Sequence, residues 1–186
     1  MTFDLARFEP PLAMPELTAG PAHLRAFALS DLPLVRQAAA DPYIPAITSV
    51  PARYTDDQGL AFIARQHERA ASAHGYSFVI TDTDEPARGQ GSIGLWLREI
   101  ESGRASIGYW LAPAARGRHL AGWALRALAA FAHDELAIPR LHLFVEPWNV
   151  ASARTAEFAG FTLEAHLRAW ERVGDEQHDA DCYVRL

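Results

Sequence analysis

The sequence contains no lysine, a single cysteine and no long apolar run. All 17 basic residues are therefore arginine. Cys182 alone cannot form an internal disulfide, and no cysteine pair exists for a zinc finger or ribbon. The apolar stretches fall well short of the roughly 20 residues that a membrane span needs, so we expect no membrane partner. No basic segment followed by an apolar one opens the chain, which predicts a cytoplasmic protein without a signal peptide.

Excess positive charge is also absent. The net charge is −6 and the pI is about 5.7, which argues against a general nucleic-acid binder. The eight histidines show no metal-ligand spacing together with a third ligand, so we expect no metal. The P-loop pattern and the G-x-S-x-G elbow are missing, and residues 115–122, before the long predicted helix, do not match the G-x-G-x-x-G fingerprint. Nucleotide hydrolysis, a Rossmann dinucleotide site and serine-triad hydrolysis therefore lose support.

The 186 residues predict one domain over 1–186, in which residues 1–20 form an irregular, proline-rich lead-in. A chain of this length can bury roughly 70% of its unfolded surface without a disulfide or a metal. Apolar periodicity, capping residues and turn residues predict the element order β α α β β β α β α β β. This order predicts a mixed α/β fold, with a mostly antiparallel seven-stranded sheet and about four flanking helices.

Residues 115–122 read Ala-Arg-Gly-Arg-His-Leu-Ala-Gly, between the end of a predicted strand and the start of a long helix. Gly117 permits backbone angles that other residues avoid. The helix start offers unpaired N–H groups and the positive end of the helix dipole, so the segment can hold a phosphate or pyrophosphate. Arg116 and Arg118 can add charged donors. An ordinary arginine-rich helix start remains an equal alternative on these residues alone.

A second informative segment, Glu146 to Ser152, leads into a predicted helix that ends at Gly160. Asn149 is placed to cap this helix, and Ser152 follows three residues later. Simple capping explains Asn149. It does not require Ser152, because serine has only moderate helix propensity.

Together these segments resemble the GNAT superfamily of acyl-CoA-dependent N-acyltransferases, and most closely its RimJ/RimL type of ribosomal-protein N-terminal acetyltransferases. The resemblance covers about residues 21–186 and rests on four stretches in family order: residues 106–111, 116–122, 149–152 and 160–161. It implies a sheet whose fourth and fifth strands splay apart. It also implies acetyl-CoA or another acyl-CoA as co-substrate, without a metal, and an amine acceptor.

The resemblance also assigns roles to residues. Trp110 and Leu111 would pair through their backbone with the pantetheine arm, and the Leu111 N–H would polarise the thioester carbonyl as an oxyanion donor. Asn149 would bond the pantetheine, and Ser152 would lie near the sulfur and protonate the leaving thiolate. The pyrophosphate would be held by backbone N–H groups of the seven loop residues Arg116, Gly117, Arg118, His119, Leu120, Ala121 and Gly122.

The sequence departs from the family pattern in three places. His119 stands where the family usually has a second glycine, so its side chain either points away from the pyrophosphate or contacts it. Ala156 replaces a tyrosine that acts as general acid in many relatives, which leaves that role to Ser152, one turn earlier. Ser106 and Phe144 occupy positions where relatives often carry a catalytic glutamate. Glu171 is then the leading candidate for a base or a substrate-positioning residue, and weaker candidates are Glu101, Glu146, Glu164 and His142.

Three functions stay open on the sequence. The leading one is acetyl transfer from acetyl-CoA to a primary amine, such as a protein N-terminal α-amine, by direct attack in a ternary complex. An α-amine has a pKa near 7.7–8.0 against 10.4 for a lysine ε-amine, so the lack of a strong base favours it. The second is transfer to a small amine (an antibiotic, polyamine or amino acid), or transfer of a succinyl group. The third is acyl-CoA binding without turnover. An exposed C-terminal hairpin is compatible with a homodimer.

Overall fold

The computed structural model describes residues 3–186, and eight strands within them form one sheet. The spatial order is β1-β2-β3-β4-β5-β6-β8-β7. Every neighbouring pair is antiparallel except β5 and β6, which run parallel. The strands are β1 (Leu17–Ala19), β2 (Ala22–Arg25), β3 (Gly75–Asp82), β4 (Glu85–Trp96), β5 (Arg104–Leu111), β6 (Arg140–Val145), β7 (Thr162–Val173) and β8 (Glu176–Arg185).

The predicted mixed fold with a mostly antiparallel sheet is confirmed, but the predicted number of seven strands is wrong. The additional strand is β1, in the segment expected to be irregular. It pairs with β2 across a tight turn in which Gly20 adopts a φ of +51°, an angle that glycine accepts without strain. The prolines that suggested an irregular lead-in all precede β1 or lie in this turn, so they do not interrupt its ladder.

Five α-helices lie within the described residues, against about four expected. They are α1 (Leu32–Ala39), the short α2 (Ile44–Ile47), α3 (Asp56–Ala71), α4 (Leu120–Ala130) and α5 (Val150–Phe158). The predicted cap of α3 is present, since the Thr55 hydroxyl accepts the Gln58 N–H at 3.2 Å. None of the helices in residues 3–186 has the length and apolarity to cross a bilayer.

The helices cover both faces of the sheet, and each covered face has its own core. One core packs α4 against residues such as Phe78, Ile93 and Leu95. The other packs α1 and α3 against Val79 and Trp110. Because side chains alternate along a strand, neighbouring residues of β5 point into different cores. The end of β5 therefore contributes to both sides of the sheet.

The two parallel strands at the centre of the sheet stay paired for only three residues. Their last paired residues are Ser106 on β5 and His142 on β6. Beyond this point β5 continues to Leu111 while remaining paired with β4 on its other side. The edge of β5 that faces β6 thus carries backbone N–H and C=O groups available to a ligand. A splayed pair of strands was implied by the family resemblance, and the structure contains it.

Candidate active site

A cleft of about 1060 Å³ opens where β5 and β6 separate. Its lining comes from α2, α3, β4, β5, the segment before α4, β6, α5 and β7. It brings together nearly all of the residues singled out in the sequence: Trp110, Leu111, Arg116, Gly117, His119, Leu120, Ala121, Gly122, Asn149, Ser152 and Glu171. Arg118 is the exception, because it is not part of the lining.

The segment before α4 forms a cradle of backbone donors. Gly117 and His119 both have left-handed backbone angles, with φ of +78° and +57°. Within residues 3–186, no acceptor faces the N–H groups of residues 117–121, whereas those of Gly122 and Trp123 donate to the His119 carbonyl. A β-carbon added at Gly117 would meet no atom within 4 Å, so the backbone there is open to a ligand. Free donors at the positive end of a helix suit a phosphate or pyrophosphate.

His119 occupies the position just before α4. The sequence pattern predicts a helix from about Arg118, but the left-handed backbone of His119 delays its start to Leu120. The imidazole is exposed on the rim of the cleft, and its ring centroid lies 6.4 Å from that of Phe158 on α5. The side chain is thus directed toward the cleft and α5, within the region that a ligand at the cradle would occupy.

The two arginines of this segment already have carboxylate partners. Arg116 donates to Asp41 at 2.7 Å and to the Leu111 carbonyl at 3.2 Å. Arg118 donates to Asp82 at 2.7 Å, which holds its side chain away from the cleft. Both contacts tie the loop to the rest of the fold. The backbone therefore supplies the cradle, and the arginines fix its position.

The start of α5 places a serine hydroxyl in the cleft. Asn149 caps the helix, since its side-chain oxygen accepts the Ser152 N–H at 3.1 Å. The Ser152 hydroxyl lies 2.7 Å from the phenolic oxygen of Tyr109 on β5. Burial raises the pKa of Tyr109, so this phenol stays protonated and can donate to Ser152. Tyr109 lies within the Ile-Gly-Tyr-Trp-Leu stretch of the sequence, but only the fold brings it to Ser152.

Glu171 is a residue of β7, and it lines another part of the cleft. Burial raises the pKa of its carboxyl, and the nearby Glu146 raises it further. A carboxylate with a raised pKa accepts a proton more readily than an ordinary surface glutamate. Glu171 faces His178 across the β7–β8 ladder. The candidate base inferred from the family resemblance thus has the electrostatic setting that such a role needs.

Glu146 sits beside Glu171 at the end of β6, but its surroundings differ. Its carboxylate is almost fully buried and accepts hydrogen bonds from the Tyr43 hydroxyl and from His178. Burial alone would raise its pKa, yet these donors outweigh burial and lower the pKa of Glu146. The same contact raises the pKa of His178. Glu146 is therefore a fixed anion, whereas Glu171 is poised to take a proton.

The other acidic and histidine candidates do not line the cleft. Glu164 pairs with Arg140 at 3.1 Å, and His142 lies 3.5 Å from Glu99. Glu101 is an exposed residue of the turn before β5. Within residues 3–186, no group of three His, Cys, Asp or Glu side chains is arranged to hold a metal ion. Tyr43 and His178 were not identified in the sequence, because Tyr43 directly precedes α2, His178 lies on β8, and both meet Glu146 only in the folded chain.

Comparison with known proteins agrees with this geometry. Residues 22–162 match the acetyltransferase (GNAT) domain family. No protein of curated function matches the chain in sequence. Many solved structures share its fold.

Three of these solved structures illustrate the range of proteins that share the fold. RimJ from Mycobacterium smegmatis in complex with CoA-disulfide has a TM-score of 0.79 at 19% identity, over 94% of this chain and 87% of that one. RimL, a ribosomal L7/L12 α-N-protein acetyltransferase in complex with CoA, has a TM-score of 0.74 at 20% identity, over 91% and 96%. The microcin C7 self-immunity acetyltransferase MccE, with acetyl-CoA and AMP, has a TM-score of 0.78 at 21% identity, over 89% and 92%.

These similarities at about 20% identity establish the fold, and the family match over most of the chain establishes the family. The cradle before α4, the splayed strands and the capped serine are what the family resemblance implied from the sequence. The chain belongs to the GNAT family of N-acetyltransferases.

Proposed function

We propose that the cleft binds acetyl-CoA and a primary amine together and transfers the acetyl group directly, with a protein N-terminal α-amine as the leading acceptor. The observation that carries the proposal is that one cleft contains both a backbone anion cradle and a pair of proton-transfer groups, Ser152 and Glu171. GNAT neighbours of this fold are solved with CoA or acetyl-CoA bound, which supports the choice of co-substrate.

The donor end of the site follows from backbone geometry. The segment 116–122 would hold the pyrophosphate through the free N–H groups of residues 117–121. The free edge of β5 at Trp110 and Leu111 would pair with the pantetheine arm as a strand would. The Leu111 N–H would stabilise the oxyanion of the tetrahedral intermediate, and Asn149 would contact the pantetheine amide. No metal takes part in this scheme.

Proton transfer would use the two side chains at the reacting centre. Glu171 would accept a proton from the acceptor ammonium, directly or through one water, before the nitrogen attacks the thioester carbonyl carbon. As the carbon–sulfur bond breaks, Ser152 would protonate the thiolate. The Tyr109 phenol, 2.7 Å from the Ser152 hydroxyl, is positioned to pass its proton to the serine, and the second proton lost by the attacking nitrogen would return to this pair through water. Acetylated amine and free CoA thiol are the products.

The acceptor assignment rests on acidity. An α-amine with a pKa near 7.7–8.0 needs much less help from a base than a lysine ε-amine near 10.4. A single carboxylate with a moderately raised pKa matches the first class better. The second candidate is a small amine, and the fold neighbour that is a microcin self-immunity acetyltransferase favours keeping it.

Free-thiol release with acetyl-CoA tests the proposal. N-terminal peptides, small amines and lysine side-chain analogues would be compared as acceptors. We expect thiol release with peptides that carry a free α-amine and none with the same peptides after N-terminal blocking. Release with small amines alone would replace the leading acceptor by the second one. No release with any amine would refute the proposed transfer.

The proposal also covers the location, the domain number and the oligomeric state of the protein. We place it in the cytoplasm as one domain over residues 1–186, because all eight strands share one sheet and the only cysteine, Cys182, is an unpaired buried thiol. A homodimer through the C-terminal hairpin is also proposed, since β7 is an edge strand with Leu163 and Trp170 exposed. Light scattering would give the mass in solution.

A further inference from the structure

The cleft has a second polar region, formed by α3, β4 and β5, whereas Glu171 lies on β7. Its floor is made by two glycines that face each other across the β4–β5 ladder, Gly94 and Gly108. The indole of Trp96 lies over them. A β-carbon at Gly94 would be 2.7 Å from an indole carbon, and one at Gly108 would be 3.5 Å from the indole nitrogen. The paired glycines thus give Trp96 room to lie against the sheet.

Arg69 of α3 approaches this indole with its guanidinium, at 4.3 Å from the ring centroid. Further contacts fix the group in place. It donates to the side-chain oxygen of Gln66, to the Ser77 hydroxyl at 3.1 Å and to the Ser49 hydroxyl at 3.3 Å. These bonds use three of the five N–H groups of the guanidinium. The cation is therefore held rigidly at the cleft wall, with donors left over.

The partners of Arg69 are all neutral. Among residues 3–186, no carboxylate lies within ion-pair distance of its guanidinium, whereas Arg116 and Arg118 each have an aspartate. Burial lowers the pKa of Arg69, and repulsion from Arg65 and Arg98 lowers it further. A half-buried cation without a counter-ion is electrostatically costly, and an anion that enters the cleft would compensate it.

The remaining polar groups on this side do not supply that anion. Ser92, Ser106 and Thr48 line the cleft and are neutral. The two carboxylates of the cleft are Glu146, directly after β6, and Glu171, on β7. The cleft is therefore bipolar, with a carboxylate pair at one end and an uncompensated guanidinium at the other.

We propose that Arg69 binds an anionic group of the acceptor, so that the substrate class is an amine that also carries a carboxylate or a phosphate. The inference rests on the proposed transferase function and specifies its acceptor. A guanidinium is suited to both anions, because its planar fork can donate to two oxygens at once. The same cation repels a polyamine. An acidic peptide with a free N terminus and a small amino acid both satisfy the rule.

Matched acceptor pairs that differ in one anion test the proposal in the thiol-release assay. The pairs are the tripeptide amides Ala-Glu-Ala and Ala-Gln-Ala, β-alanine and its amide, and O-phosphoethanolamine and ethanolamine, with spermidine as the cationic comparison. A charge-assisted hydrogen bond predicts a preference of about 10- to 100-fold in kcat/KM for the anionic member of at least one pair. The pair that responds identifies the source of the anion. Equal rates within all pairs, or turnover of spermidine alone, would overturn the proposal.

The variant Arg69→Gln should abolish the preference by lowering kcat/KM for the anionic member only. Arg69→Lys, which keeps the charge, should retain part of it. Arg65→Gln is the matched control, since Arg65 is a nearby exposed arginine on α3 that does not line the cleft. A purely structural role of Arg69 predicts instead that Arg69→Gln slows both members of each pair equally, and that result would refute the assignment.

Anion binding can also be measured without turnover. The CoA-loaded protein would be titrated with N-acetylaspartate and with inorganic phosphate while the Arg69 Nε–H resonance is followed by NMR, with Arg69→Gln to assign the signal. We expect a saturable shift with at least one of the two anions. A shift without thiol release from any amine would support the anion site and refute the transferase proposal. The absence of a shift with both anions would refute the anion site.

Discussion

The two ends of the cleft are built in different ways. At the α4 end, the contiguous residues 117–121 present free backbone N–H groups, and the arginines of this segment, Arg116 and Arg118, are neutralised by Asp41 and Asp82. At the β6–β7 end, side chains from four separate segments of the chain meet around Glu146 and Glu171. Backbone donors have a fixed charge distribution, whereas neighbouring carboxylates tune each other. The first end suits a constant ligand, and the second suits proton transfer.

The two carboxylates show the same contrast on a smaller scale. Both are shielded from water, yet the pKa of Glu146 is lowered and that of Glu171 is raised. The difference arises because Glu146 accepts hydrogen bonds from Tyr43 and His178, whereas no side chain within residues 3–186 donates to the carboxylate of Glu171, which experiences burial and the like charge of Glu146. Pairs of groups whose pKa values are driven apart mark acid–base chemistry. The following predictions test whether the two ends of the cleft have separate roles.

The largest effect is expected from Glu171→Gln. Loss of a general base lowers kcat by about 10²- to 10⁴-fold. Acetyl-CoA affinity should stay within about twofold of the wild type, because the glutamine has the same shape and lies away from the cradle. Steady-state thiol release and calorimetry measure the two quantities. A variant that loses both in parallel would contradict the separation of the two ends.

Ser152→Ala should lower kcat by about 10²-fold and raise KM far less, since a general acid acts on the leaving group in the transition state. Tyr109→Phe removes the partner of the serine hydroxyl and should give a smaller loss in kcat. The measurement is a full kinetic analysis with both substrates varied. Wild-type kinetics in Ser152→Ala would remove this serine from the mechanism.

The pH dependence of kcat/KM should have an acid limb set by Glu171, above the ordinary range of a glutamate. Activity requires the deprotonated base, so it falls as the pH drops through this pKa. Glu146→Gln removes a neighbouring negative charge, which makes ionisation of Glu171 easier and moves the limb to lower pH. Rate profiles of the two proteins measure the displacement. An unchanged limb would show that the two carboxylates are not coupled.

The smallest effect should follow from Asn149→Ala. Loss of the side-chain cap on α5 destabilises the fold by about 1 kcal/mol. The helix start that carries Ser152 would loosen as well, so acetyl-CoA affinity should fall moderately. Thermal unfolding and calorimetry check the two effects. Asn149→Ser preserves a cap and is the matched control for stability, and it should recover most of the lost melting temperature.

The sequence predicted the α4 end of the cleft well, because its signals are contiguous. Gly117, the helix start and the cap at Asn149 are local features whose geometry depends on few residues. Even there, α4 begins later than the sequence pattern predicts, because His119 adopts a left-handed backbone. The turn residues of 83–91 predict a loop followed by a strand from Ser92, yet β4 begins at Glu85, because residues 85–91 pair with β3 across a bulged register.

The other end could be predicted only in part. Glu171 was found through its position in the family pattern, but no local signal connects Tyr43, just before α2, or His178, on β8, with Glu146. Their meeting depends on the order of strands in the sheet, where β8 lies between β6 and β7. Arg69 and Trp96 likewise become neighbours only when α3 packs on the sheet. Side chains distant in sequence thus define the acceptor side.

Binding of acetyl-CoA at the start of α4 underlies every step proposed for the cleft. Calorimetric titration of the wild-type protein with acetyl-CoA tests this binding most directly. We expect saturable one-site binding, which Glu171→Gln retains. The absence of binding at millimolar acetyl-CoA would contradict it.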